Sequence, residues 1–284
     1  MRGSNVWDKG FIGNAGDDAT NFLGITMYLS PSEREEINQQ ERKIREEKNK
    51  LKKFMMRYSW FRRLFLPKNK TNGFPYWVKK TDEERIQNLG DKFIQANTDR
   101  EVYVTEKIDY QSATFTSKRI PRFGLFQKYF TKVVFVVCSR NFTTNNKSDL
   151  YWQIARKYDL EHICREYPGI IIQGEQGNIG VQGNKYGLKE PKMWVFNIID
   201  SNDGHRYSRI EMEWFCFRNK LDIVPIMTTC KMSDIGSTVA DFVEYSKGQS
   251  VINLIHREGV VIRSTTGDFF SFKSINPEFL IKYE

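Results

Sequence analysis

Lys107 sits in the stretch Thr105-Glu-Lys-Ile-Asp-Tyr110 between two carboxylates, Glu106 and Asp109. The apolar residues around it, Val102, Val104 and Ile108, alternate as they do in a strand. A lysine amine is mostly protonated at neutral pH. It becomes a nucleophile only where partial desolvation or a neighbouring cation, such as a bound metal, favours the neutral form. Read alone, Lys-x-Asp describes a surface lysine at a strand end equally well. Further chemistry lies downstream. Glu258-Gly-Val-Val-Ile-Arg263 and Asp268-Phe-Phe-Ser-Phe-Lys273 form the strands of a hairpin across Ser264-Thr-Thr-Gly267, one opening with a carboxylate and the other closing with a lysine. Between them and Lys107 come Cys138-Ser-Arg-Asn141, Gly174-Glu175 and Trp194-Val-Phe-Asn-Ile198.

In that order, these segments resemble the nucleotidyltransferase motifs of ATP-dependent RNA ligases, whose superfamily also holds DNA ligases and mRNA capping enzymes. The resemblance runs from Lys80-Thr-Asp-Glu-Glu-Arg-Ile-Gln-Asn88 to the C-terminus. Phe74-Pro75, Ile179-Gly-Val-Gln-Gly-Asn184 and Ser271-Phe-Lys-Ser-Ile-Asn-Pro277 are similar to the branch that carries an OB domain ahead of the catalytic domain. The sequence departs from that branch twice. Tyr110 stands where a glycine usually follows the lysine, and the residues before Phe74 are too few for a complete OB domain, which implies a truncated or variant member.

The resemblance implies an α+β fold: an antiparallel-sheet nucleotidyltransferase (ATP-grasp-like ligase) domain with an N-terminal helical extension. It implies Lys107 as the nucleophile that accepts AMP from ATP, and Asp109 and Glu258 as carboxylates for a hydrated Mg²⁺ or Mn²⁺. Nucleotide contacts are implied for Glu106, Arg140, Glu175, Phe196, Lys273 and Arg85: Phe196 on adenine, Glu175 and Arg140 toward ribose and phosphate, Lys273 on the α-phosphate, Arg85 on the departing phosphates. Each also has a plain structural reading: core for Phe196, loop carboxylate for Glu175, exposed helix charge for Arg85. The implied partner is RNA, as nicked duplex RNA or an RNA–DNA hybrid, sealed by a monomeric enzyme between 5′-phosphate and 3′-hydroxyl ends. Two alternatives stay open: a capping-type guanylyltransferase, and a non-catalytic RNA-binding protein on a ligase fold.

These residues need positioning elements. Thr81-Asp-Glu-Glu84 has capping-box form and predicts a helix through Leu89. Strands are predicted over Tyr103–Ile108, Ser112–Thr116 and Lys132–Arg140, with a basic loop over Arg119–Gln127. A single helix is predicted over Tyr151–Tyr167, stopped by Pro168-Gly169. Buried strands follow over Gly169–Glu175 and Met193–Ile199. The Gly-rich Gly174–Gly187 stretch between them lacks the Gly-Lys-Ser/Thr ending of a P-loop. Val224–Met227 reads as a short edge strand and Ser237–Ser246 as a helix.

Ahead of these lie a tail over residues 1–30, a possible OB remnant, and a basic helical extension with linker over 31–73; the nucleotidyltransferase domain takes 74–284. Net charge is +9. Between Pro31 and Lys70, thirteen Lys/Arg stand against six Glu, a surplus of seven, with Phe54, Tyr58, Trp60 and Phe61 interleaved. That composition fits either phosphate contact with base stacking or an aromatic docking face. The four cysteines have no metal-type spacing with the three histidines, no apolar run reaches membrane length, and no signal-peptide core opens the chain. A cytoplasmic, reduced protein is expected.

Overall fold

The computed structural model describes residues 73–80, 82–121 and 131–283. The tail and the basic extension lie outside the described residues, as does most of the Arg119–Gln127 loop. In chain order the elements are β1 (Glu84–Arg85), α1 (Ile86–Gln95), β2 (Glu101–Lys107), β3 (Gln111–Pro121), β4 (Thr131–Cys138), α2 (Leu150–Lys157) and α3 (Leu160–Glu166). Then come β5 (Ile170–Gly177), β6 (Lys192–Asp200), α4 (Arg209–Arg218), β7 (Ile226–Lys231), α5 (Val239–Ser246), β8 (Gly259–Ser264), β9 (Ser271–Ile275) and α6 (Pro277–Tyr283). The strands make two sheets, ordered β1-β9-β8-β2-β7 and β4-β3-β5-β6. Pairing within both is antiparallel except for β1 against β9.

Each sheet buries one face under helices. Val102, Val104, Val260, Ile262 and Phe272 pack with Ile86, Ile94 and Phe242 of α1 and α5. Phe115, Ile172, Val195 and Ile198 pack with Ile154, Leu160, Ile163 and Met212 of α2, α3 and α4. Burying one such side chain is worth about 1.5–3 kcal/mol, so these two layers hold the sheets in place. A third cluster, Ile108, Tyr110, Tyr186, Trp194, Phe196 and Val224, lies apart from both layers.

Three local expectations are corrected. The helix expected from Thr81 starts at Ile86, with no side-chain cap at Arg85. Glu84 and Arg85 are drawn instead into parallel pairing with Phe272 and Lys273, a long-range contact that overrides the local capping pattern. The single helix over Tyr151–Tyr167 is two, because Asp159 adopts a left-handed φ of 49° between α2 and α3. The edge strand expected over Val224–Met227 lies further on, at Ile226–Lys231, since Val224 donates its N–H to Val195 O (2.9 Å) of the other sheet.

Candidate active site

Alternation along β2 decides what faces what. With Val102 and Val104 against the helices, Thr105 and Lys107 project to the opposite face and Glu106 to the helix side. Lys107 pairs in register with Gly259, which brings Glu258 beside it. The Lys107 ammonium donates to Glu258 Oε1 at 2.5 Å, with both side chains largely enclosed. One row along, Thr105 lies opposite Val261, Val261 opposite Lys273, and Lys273 opposite Arg85. A hairpin register about 150 residues from Lys107 thus delivers the second lysine to the same face.

The second sheet contributes through a bulge. Gln173 pairs with Asn197 and Gly174 with Val195, so Phe196 is the extra residue. A bulge re-aims the side chain it carries. Phe196 accordingly turns out of the helix-backed layer and lines a cleft of about 450 Å³. Gly174 is required at this point, since a Cβ there would come within 2.7 Å of Trp194 O.

Lys107, Asp109, Glu175, Phe196, Glu258 and Lys273 all line that cleft, as does Arg140. Charge is dense there. The Glu175 carboxyl is held well above the usual carboxylate range by burial, and the Glu258 and Asp109 charges add to the effect while Lys107 and Arg140 oppose it. Its Oε2 is buried without a hydrogen-bond partner. Lys273 is pushed down from the usual lysine value by burial and then by the charge of Lys107. Asp109 is ion-paired with Lys185, and Arg140 with Asp82.

Two predicted residues sit differently. Glu106 has a wall position in the cleft, yet its Oε2 accepts from the Val251 N–H at 2.9 Å, on the far side of β2. Burial raises its pKa. Arg85 is exposed at the sheet edge and is not among the lining residues.

Sequence reading passed over Arg263 and Glu83. Arg263 is 3% exposed, yet its guanidinium stands 5.4 Å from the centre of the Phe196 ring and donates to Glu83 at 2.9 Å. Arg206 also reaches Glu83, at 3.9 Å, and donates to Asn197 at 2.8 Å. One carboxylate therefore serves two buried cations behind the aromatic wall. The signal was available: Arg263 has the same strand parity as Val261, opposite to Val260 and Ile262.

Among the described residues no group of three His, Cys, Asp or Glu could cage a metal. Asp109 and Glu258 both line the cleft, so a divalent ion held by these two would keep most of its waters, as Mg²⁺ prefers. Among the described residues no helix is long and apolar enough to cross a membrane. Cys138, Cys164, Cys216 and Cys230 are free thiols.

The RNA ligase family model matches residues 100–283 of this chain. No curated protein matches it. Among solved structures, a lysine-to-alanine mutant of the Naegleria gruberi RNA ligase with ATP and Mn is 26% identical, with a TM-score of 0.63 over 74% of this chain and 59% of that one. A lysine-to-methionine mutant of the same ligase with AMP and Mn is also 26% identical, with a TM-score of 0.62 and the same coverage. The form with PPi aligns over 99% of this chain and 70% of that one, at 24% identity and a TM-score of 0.66, a likeness of fold. The chain thus spans 59% of the length of the first of these relatives.

Proposed function

Because this chain belongs to the RNA ligase family, we propose that it joins RNA ends with ATP through a covalent AMP on Lys107. The observation that carries the reading is the Lys107–Glu258 contact at 2.5 Å in a cleft that also holds Glu175, Phe196 and Lys273. Glu258 aims the amine. Once deprotonated, Lys107 Nζ attacks the α-phosphorus of ATP, the bond to the β-phosphate oxygen breaks, and pyrophosphate leaves. Lys273 offsets the charge that grows on the α-phosphate. Phe196 stacks on adenine, backed by Arg263, while Glu175 and Arg140 turn to ribose and phosphate. A divalent ion between Asp109 and Glu258 would supply phosphate charge neutralisation and favour the neutral amine. AMP then passes from Lys107 to an RNA 5′-phosphate, and a 3′-hydroxyl displaces it to form the phosphodiester. A nick in duplex RNA or an RNA–DNA hybrid is the proposed substrate, with A-form shape and 2′-hydroxyls as the features read. The Mn and the AMP or ATP in the Naegleria ligase structures support this choice of cofactors.

Mass measurement of the protein after incubation with ATP and Mg²⁺ or Mn²⁺ tests the first step. An added AMP that disappears in Lys107→Ala is the expected result. An adduct that survives in Lys107→Ala moves the nucleophile elsewhere, and an adduct formed from GTP alone points to capping chemistry.

A further inference from the structure

The carboxylate that this reading assigns to a metal already has a cation. Lys185, in the connection between β5 and β6, is ion-paired with Asp109, and the two side chains are 19% and 14% exposed. Its ammonium lies 4.9 Å from the centre of the Phe279 ring and 5.7 Å from that of Tyr283, both on α6. The carboxylate on one side and the two ring faces on the other hold the ammonium in place.

The loop is tied down on both sides of Lys185. The Asp109 N–H donates to the Tyr186 hydroxyl at 3.0 Å. The Tyr110 hydroxyl donates to Asn184 Oδ1, also at 3.0 Å. The residue next to the metal carboxylate and the residues flanking Lys185 thus hold the pair in register. Tyr110, where the resembling branch has glycine, supplies one of these ties.

We propose that Lys185 is a positioning residue that holds Asp109 as a resident counter-ion and withholds it from a divalent metal until the nucleotide brings that metal in. The inference rests on the proposed role of Asp109. Glu258 is ion-paired with Lys107 and Asp109 with Lys185, so each of the two carboxylates proposed for the metal has a lysine of its own. A bare metal ion must displace Lys185 to reach Asp109. A metal that arrives on ATP phosphates carries most of its ligands with it and needs Asp109 less. Metal uptake is thereby coupled to nucleotide uptake.

The experiment titrates Mn²⁺ into the full chain without ATP and reads the free ion by electron paramagnetic resonance. Lys185→Met should bind Mn²⁺ about tenfold or more tightly than the wild type, the gain expected when a partly buried competing charge is removed. Lys185→Arg should keep the weak binding, and adding Asp109→Asn to Lys185→Met should abolish the gain. Near-ultraviolet circular dichroism checks that the variants fold, and Lys185→Gln repeats the test with a polar side chain against the α6 rings. Equal Mn²⁺ binding by the wild type and Lys185→Met overturns the proposal, as does a gain that survives Asp109→Asn. The AMP adduct on Lys107 is read separately on the wild type. An adduct without a change in Mn²⁺ binding sinks the role of Lys185 alone; the reverse pattern sinks the ligase reading alone.

Discussion

The Tyr110 ring occupies the space over Gly177 that a side chain there would need: a Cβ on this glycine would lie 2.6 Å from the ring. Tyr110 also stacks on Trp194 with a centroid separation of 6.1 Å and meets Tyr186 at 5.2 Å. Its backbone is not among the described residues with positive φ, so the missing motif glycine leaves no left-handed strain beside Lys107. The change is one of volume, matched by a glycine 67 positions away.

Gly177→Ala should therefore destabilise the domain by about 1–3 kcal/mol, the usual cost of overpacking. Urea unfolding measures it. In a Tyr110→Ala background the same substitution should cost far less, and equal costs in both backgrounds would show that the two positions do not compete for space.

Glu83→Gln should destabilise strongly, by about 3–5 kcal/mol, because two buried guanidiniums lose their shared carboxylate. The pH dependence has a defined sign. Despite burial, the charges of Arg263 and Arg206 hold the Glu83 pKa below its ordinary 4.5. Its stabilisation is present above 4.5 and is lost as pH falls through the depressed folded value. Urea midpoints on the acid side should fall for the wild type, and the Gln variant should lack this contribution to the slope.

Glu175→Gln should show the opposite sign. Burial raises the Glu175 pKa well above 4.5, so its contribution is fully present below 4.5 and is lost as pH rises through the raised folded value. The variant and the wild type should converge in acid, while the variant should be the more stable at higher pH. Unfolding midpoints compared across that range decide it; parallel curves would mean that Glu175 ionises in the fold as it does in the open chain.

Residues that lie along one strand were readable in advance. The alternation around Lys107 and the hairpin from Glu258 to Lys273 appear in the structure as β2, β8 and β9, because strand parity is a local property. Elements set by distant pairing were not. The capping pattern at Thr81–Glu84 lost to the β1–β9 contact, and the Tyr151–Tyr167 periodicity ran through the left-handed turn at Asp159. Nor does any local pattern say that Glu106 bonds Val251, or that Arg263 and Arg206 share Glu83.

By itself, the sequence determined which groups could do chemistry, their order along the chain, and which face of its strand each could occupy. Only the tertiary structure decided that Lys107 meets Glu258, that Lys185 claims Asp109, and that Phe196 turns toward the cleft. The reason is physical. Side-chain type and alternation act over a few residues, whereas register, bulges and ion pairs are settled by contacts between segments up to about 180 residues apart.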